Sequence, residues 1–309
     1  MLCGQREEAH VWVLEAERDT DESDDIPCIP SNYVAAFVDI LGQRKHLASF
    51  RLLPDISKPE QEKEFMPVLK KTLGVVRDLH DSLRDVFSNY SRPAMVPNAP
   101  PEWSQTHDNL VKTDIRFQNF SDNSLVFLSL ANNDVRCPIN GVFGLLMACG
   151  MMCLKNLAGR HPIRGGIDLG WGIELDQNEL YGSVVSTAYE LESQIAQYQR
   201  IAVGDGLVSY LQSMSALDVK NVYDTFNQTL ARKCLNLLNP DSDGVVFVDY
   251  LGEAFKNDVS GAIDATMVKA GIRFILDQLD QFKSQNDTKH VMRYLMLLDY
   301  LNRSASIWP

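Results

Sequence analysis

The chain has 309 residues, 45% of them hydrophobic, and a formal net charge of −12 at pH 7. That is enough apolar side chain for a substantial core, in one large domain or two modest ones. A net −7 of the charge sits in residues 1–30, mostly in the run EAERDTDESDD, so the acidity is largely a solvated leader, and no basic stripe suits the rest to coating nucleic acid.

The six cysteines (Cys3, Cys28, Cys137, Cys149, Cys153, Cys234) show no CxxC pair. A reducing, cytoplasmic setting is therefore expected. Residues 1–30 lack a clean apolar run, so no signal peptide is read there. The most lipid-like stretch, GVFGLLMACGMMCL at 141–154, has 14 residues, short of the roughly 20 that a membrane span needs. It reads as a buried helix with core thiols, and no membrane partner is expected.

In chain order, residues 1–30 read as an acidic arm, with HVWVLEA a candidate edge strand. Tyr33–Asp39 is aromatic and β-branched with a glycine just beyond, the pattern of a strand. Residues 58–88 carry helical periodicity through Phe65, Val68, Leu69, Leu73, Val76 and Leu79. A Pro-rich insertion spans about 89–108. VKTDIRFQNF and SLVFLSL then form a hairpin with Asp122 at its bend. An apolar helix over 138–158, the strand HPIRGGIDLG and a helix from Gly182-Ser183 follow. The strand RIAV, helices around 205–214 and 225–238, the strand GVVFVDYL and two C-terminal helices complete the chain.

The order β-α-β-β-α-β predicts an α+β, ferredoxin-like sheet with helices on one face and a C-terminal helical extension. Domain limits are read as an arm at 1–30, a catalytic domain at 31–251 and helices at 252–309 that pack on that domain or at a dimer interface. In IRGGIDLG, Ile163, Gly165, Ile167 and Leu169 point one way, and Arg164, Gly166, Asp168 and Gly170 the other. The second set is polar and stripped of bulk, as a face approached by a ligand or another chain would be.

On this topology Asp39, ending a buried strand, and Asp122, at the hairpin bend, converge at one edge. Two unpaired carboxylates side by side repel. Magnesium removes that penalty and favours one or two carboxylates plus substrate phosphates. A single Asp beside a glycine is ordinarily a turn former. Two at matching points of one sheet favour the chemical reading.

AFVDILG, FSDNSLVFL and IRGGIDLG…LYGSVVSTAYELES resemble the three signature blocks of the class III nucleotide cyclases, in the right order over about residues 31–205. FVDILG, FSD, RGGI, AYELE and DSDGVVFVDYL more narrowly resemble the bacterial Pycsar antiphage uridylate and cytidylate cyclases, to about residue 251. The resemblance implies a palm-type cyclase sheet and a homodimer with sites between subunits. It implies Asp39, Asp122 and the Ile40 carbonyl as ligands for two Mg2+ or Mn2+ ions. It also places the backbone of Leu41, Gly42, Gln43 and Arg44 near the phosphates and Gln118 at the base-selecting position. The implied reaction converts UTP or CTP to 3′,5′-cyclic UMP or CMP, read by a separate downstream effector in antiphage defence.

The chain departs from the animal-type pattern where an Asn and an Arg stabilise the transition state. It has Ser186 and Glu190 there. The missing charge is assigned to Arg164 as a catalytic residue, with Lys45 or Arg44 near the phosphates; Arg164 paired to Asp168 is the plain alternative. Competing readings are an inactive cyclase-like nucleotide sensor, a purine cyclase and a palm-type oligonucleotide synthase. NPDSDGVVFVDY at 239–250 mimics a calcium loop but ends in Tyr250 where a bidentate glutamate is required, so it reads as a turn into a strand. GDG at 204–206 reads as a helix cap, and only His46 among the histidines stands near Asp39.

Overall fold

The computed structural model describes residues 29–43, 47–50, 52–91, 113–130, 137–175, 178–259 and 261–308. The acidic arm but for its last two residues, Arg44–His46 and most of the Pro-rich insertion lie outside them. The strands are β1 (Ser31–Ile40), β2 (Arg116–Phe120), β3 (Asn123–Ser129), β4 (Ile163–Glu174), β5 (Leu180–Tyr181), β6 (Ile201–Val203), β7 (Leu238–Pro240) and β8 (Val246–Val248). The helices are α1 (Pro59–Tyr90), α2 (Pro138–Ala158), α3 (Ser183–Glu190), α4 (Asp205–Ser215), α5 (Val222–Asn236), α6 (Glu253–Asp258), α7 (Ala265–Ser284) and α8 (Thr288–Arg303). A π-helical segment, Leu191–Ile195, continues α3.

The eight strands form one mixed sheet in the order β2-β3-β1-β4-β6-β8-β7, with β5 beside β4. From β1 to β4 the chain runs β-α-β-β-α-β, as read from the sequence, and β2, β3, β1 and β4 pair antiparallel throughout. β6 joins β4 in parallel. The expected strand GVVFVDYL shortens to β8, because Tyr250 and Leu251 turn into the core instead of extending the ladder.

β1 is buried on both faces. Val34, Ala36, Val38 and Ile40 face the main core against α1 and α2, while Tyr33, Ala35 and Phe37 face a second cluster with Leu125, Phe127, Leu180, Val184 and Ala188. α2 is apolar nearly all round, and such a helix must be covered on every side. Sheet and α1 cover one side, and α7 packs on another. By length and composition α2 alone among the described helices could cross a membrane, yet 83% of its most apolar window is buried inside the protein. Burial pushes the Cys149 thiol on α2 up to about 12, which makes it an inert core group. α1 behaves less regularly than its periodicity suggests. Leu79, Leu83 and Phe87 are buried, but Leu73 is exposed and no residue of its first three turns is fully buried.

The second face of the sheet is not open, contrary to the one-sided arrangement expected from the sequence. α3 lies across β1 and β4, and the stripped face of IRGGIDLG is approached by the chain's own helix. Gly166 is the reason. A β-carbon there would fall 2.5 Å from the Ala188 carbonyl oxygen and 2.7 Å from the Glu192 nitrogen, and would collide with the Leu191 side chain. The glycine thus lets a helix backbone sit directly on a strand. Gly166→Ala is expected to destabilise the fold by about 1–3 kcal/mol, since the neighbours are backbone and cannot yield cheaply. A lowered denaturant midpoint would show it; an unchanged midpoint would mean that α3 is not seated on β4.

Candidate functional site

Strand register builds the site. Asp39 pairs with Asn123 across β3 and with Arg164 across β4. The Ile40 N–H donates to the Asp122 carbonyl at 3.4 Å, so the hairpin bend closes beside the end of β1. The bend is a two-residue turn with Ser121 at φ 62°, a left-handed conformation uncommon for a residue with a β-carbon. Asp39 and Asp122 are therefore neighbours, and the Asp122 charge adds to the cost of ionising Asp39.

The same alternation that turns Phe37 toward α3 turns Asp39 that way. Arg164, opposite it, donates from Nε to Glu192 Oε1 at 2.7 Å, and its Nη2 contacts the same oxygen. Arg164 Nη2 stands 3.6 Å from Asp39 Oδ2. Glu192 is only 3% exposed. Burial, then the Glu192 charge, push the Asp39 carboxyl up to about 6; Arg164 opposes the shift and Asp122 adds to it. Asp39 and Glu192 thus share the Arg164 guanidinium in a partly buried setting, with Asp122 beside Asp39 and the Arg293 guanidinium of α8 acting on Arg164.

That charge balance tests the metal expectation. Three acids against two guanidiniums leave an excess of one negative charge, which favours a cation beside the carboxylates. Among the described residues no group of three or more His, Cys, Asp or Glu side chains is placed to hold a metal. Glu192 is committed to Arg164, which leaves Asp39, Asp122 and the Ile40 carbonyl as donors. Two carboxylates suit a magnesium-like ion that completes its shell with phosphate oxygens and water. The residues fit such a group.

Aromatic rings flank the acids. Phe37 stacks on Phe120 at 6.5 Å between centroids and meets Tyr189 edge-on at 5.3 Å. Phe120 and Tyr189 are about half exposed, at 46% and 53%.

The phosphate-binding turn departs from expectation at one amide. The Leu41 N–H donates to the Pro162 carbonyl at 2.8 Å, so it is not free for an anion. Gly42 follows with φ 91°, which reverses the chain, and Gln43 is buried with its Oε1 unbonded. Arg44, Lys45 and His46 lie outside the described residues. Gln118 is on β2, where its Oε1 accepts the Leu180 N–H at 3.1 Å and ties β2 to β5.

Ser186 and Glu190 are both exposed on α3, off its buried line of Val184 and Ala188. The pairing of Arg164 with Asp168 is not found. Asp168 instead accepts the N–H groups of Leu169 and Leu207, each at 2.8 Å, and caps α4 against Gly204. Asp241 and Asp243 of the calcium-like loop are also taken. Arg200, fully buried, binds Asp243 through Nη1 at 2.9 Å and Nη2 at 2.6 Å, and Asp241 Oδ2 at 3.4 Å. Arg303 of α8 holds the other Asp241 oxygen. The loop is a turn, with Gly244 at φ 83°.

Glu192 is the functional residue that the sequence reading passed over. Its signal was available: Val184, Ala188 and Glu192 recur at i, i+4, the buried line of α3. An acid on that line, facing a strand with a lone arginine, implies an ion pair. No protein-family model matches the chain, and no curated protein matches it.

Proposed function

We propose that the protein is a pyrimidine nucleotide cyclase of the palm-type, ferredoxin-like class III kind, which converts UTP or CTP to 3′,5′-cyclic UMP or CMP and pyrophosphate. The observation that carries this reading is the junction of Asp39 and Asp122 at one sheet edge, sealed by the Ile40–Asp122 backbone bond. Asp39, Asp122 and the Ile40 carbonyl would hold Mg2+ or Mn2+; bound there, the ions supply acidification of the ribose 3′-hydroxyl and neutralisation of pyrophosphate.

The 3′-oxygen attacks the α-phosphorus as the bond to the bridging oxygen of the β-phosphate breaks. Arg164 supplies a fixed positive charge beside the phosphates, in a position already set by Glu192. Phe120 and Tyr189 screen the site from water and offer a π-face to the base, while Gln118 lies on the same strand face as Phe120. Gly42 and Gln43 shape the turn under the phosphates. Homodimerisation, a cytoplasmic setting and a separate effector that reads the cyclic product in antiphage defence belong to the same proposal.

Incubation with each ribonucleoside triphosphate and Mn2+, followed by mass spectrometry, tests it. A cyclic pyrimidine monophosphate is expected. Asp122→Ala is expected to abolish turnover, by at least about a thousandfold, with its circular dichroism unchanged; activity retained in that variant would sink the assignment. The exposure of Ser186 and Glu190 favours a second reading, a nucleotide-binding sensor without turnover. That reading predicts triphosphate binding by calorimetry and no product. Cyclic purine products would shift the substrate class, and linked nucleotides would point to a synthase.

A further inference from the structure

The guanidinium of Arg164 lies between two carboxylates but is shared unequally. Nε and Nη2 both reach Glu192, with Nε at 2.7 Å, whereas Asp39 Oδ2 is left at 3.6 Å. The first is a short, charge-assisted hydrogen bond; the second is too long to be one. Arg164 and Asp39 are direct partners across the β1–β4 ladder, so the arginine has the reach to form a close pair. A guanidinium facing a lone carboxylate closes on it, often through two parallel hydrogen bonds. Here the guanidinium is instead engaged by the acid on its other side. Glu192 is buried and fixed by the π-helical segment above Gly166, where a β-carbon would push that segment away.

We propose that Glu192 is a positioning residue that holds the Arg164 guanidinium off Asp39, keeping the Asp39 carboxylate open to a divalent cation. The proposal rests on the reading of Asp39 and Asp122 as a cation-binding pair. Without the Glu192 charge, Arg164 would swing onto Asp39 and occupy the oxygens that a cation needs. The strand partner would then act as an internal competitor of the metal.

Mn2+ titration of the nucleotide-free protein, with free Mn2+ measured by electron paramagnetic resonance, tests this without reference to turnover. Glu192→Gln is expected to weaken Mn2+ binding about 10- to 100-fold, the range seen when a residue supporting a metal ligand is lost. The double variant Glu192→Gln/Arg164→Met removes the competitor as well and is expected to bind Mn2+ at least as tightly as the unmodified protein. Recovery of this kind separates positioning from a merely structural role, which a second substitution would not repair. Wild-type affinity in Glu192→Gln, or weak binding in the double variant, would overturn the proposal. Should Glu192→Gln not fold, the double variant decides alone, because replacing both members of a buried pair is often tolerated. An unmodified protein that binds no Mn2+, or an Asp39→Asn variant that binds it equally well, would instead bring down the cation reading and the proposal with it.

Discussion

Asp39→Asn is expected to make the protein more stable while it abolishes the chemistry. Burial and the neighbouring acids push the Asp39 carboxyl up to about 6, against an ordinary value near 4. Between about pH 4 and 6 the folded protein therefore holds a proton that the unfolded chain has released. Stability falls as pH rises through that window, and the full penalty applies above it. The displacement corresponds to roughly 2–3 kcal/mol at pH 7 as an upper bound, moderated because the side chain keeps 19% of its exposure. Asparagine carries no such charge. A melting temperature higher by ~2–5 °C at pH 7 is expected, shrinking toward zero near pH 4. Mn2+ should narrow the gap by stabilising only the unmodified protein. A variant that melts lower at pH 7 than at pH 4, relative to the unmodified protein, would show that Asp39 is an ordinary structural acid.

The largest loss of stability is expected from Arg200→Met. Arg200 is fully buried and uses every part of its guanidinium. Nε donates to the Ala196 carbonyl at 3.0 Å and Nη2 to the Ile195 carbonyl at 2.9 Å, closing the open end of the π-helical segment, while Asp241 and Asp243 neutralise it. Removing one member of a buried ionic cluster costs about 3–5 kcal/mol, because the acids left behind remain desolvated. Here two carbonyls also lose their donor. Arg200→Lys should rescue little, since a single ammonium cannot reproduce the planar fork. Chemical denaturation monitored by tryptophan fluorescence measures the loss. Hydrogen exchange should rise in the π-helical segment and in the loop at 241–245. A loss below about 1 kcal/mol would show that the cluster is solvated in solution.

These features differ in how far the sequence announced them. Tyr33–Asp39, the hairpin at Asp122 and the apolar helix at 138–158 carry strong local patterns, and the structure places all three, with the first hairpin strand starting at Arg116, later than read. Their order also carried the arrangement of β1 to β4, because short hairpins and long crossovers leave few topologies open. The position of α3 was hidden. Gly166 in RGGI marks a close approach, but a glycine in a strand does not say whether a ligand or the chain's own helix comes near. Glu192 was masked by the family-like run VSTAYELES, which drew attention to Ser186 and Glu190, two residues off the buried line and so on the opposite side of the helix. Arg200 read as the ordinary first residue of the strand RIAV, whereas the strand begins at Ile201. Its burial depends on acids some forty residues downstream, and no local period encodes that pairing.

The enclosure of α2 bears on how the chain reaches this state during synthesis. α2 ends at Ala158, and α7, which covers its outer side, begins only at Ala265. At roughly 5–20 residues per second, a ribosome needs on the order of 5–20 s to deliver that cover. Throughout that interval the nascent chain carries an apolar helix with one flank bare, even if the sheet has already formed. Translation stalled between residues 158 and 265 would release a sticky, half-clad intermediate. The helices after residue 251 are therefore a condition for clean folding, as well as an outer layer of the finished protein.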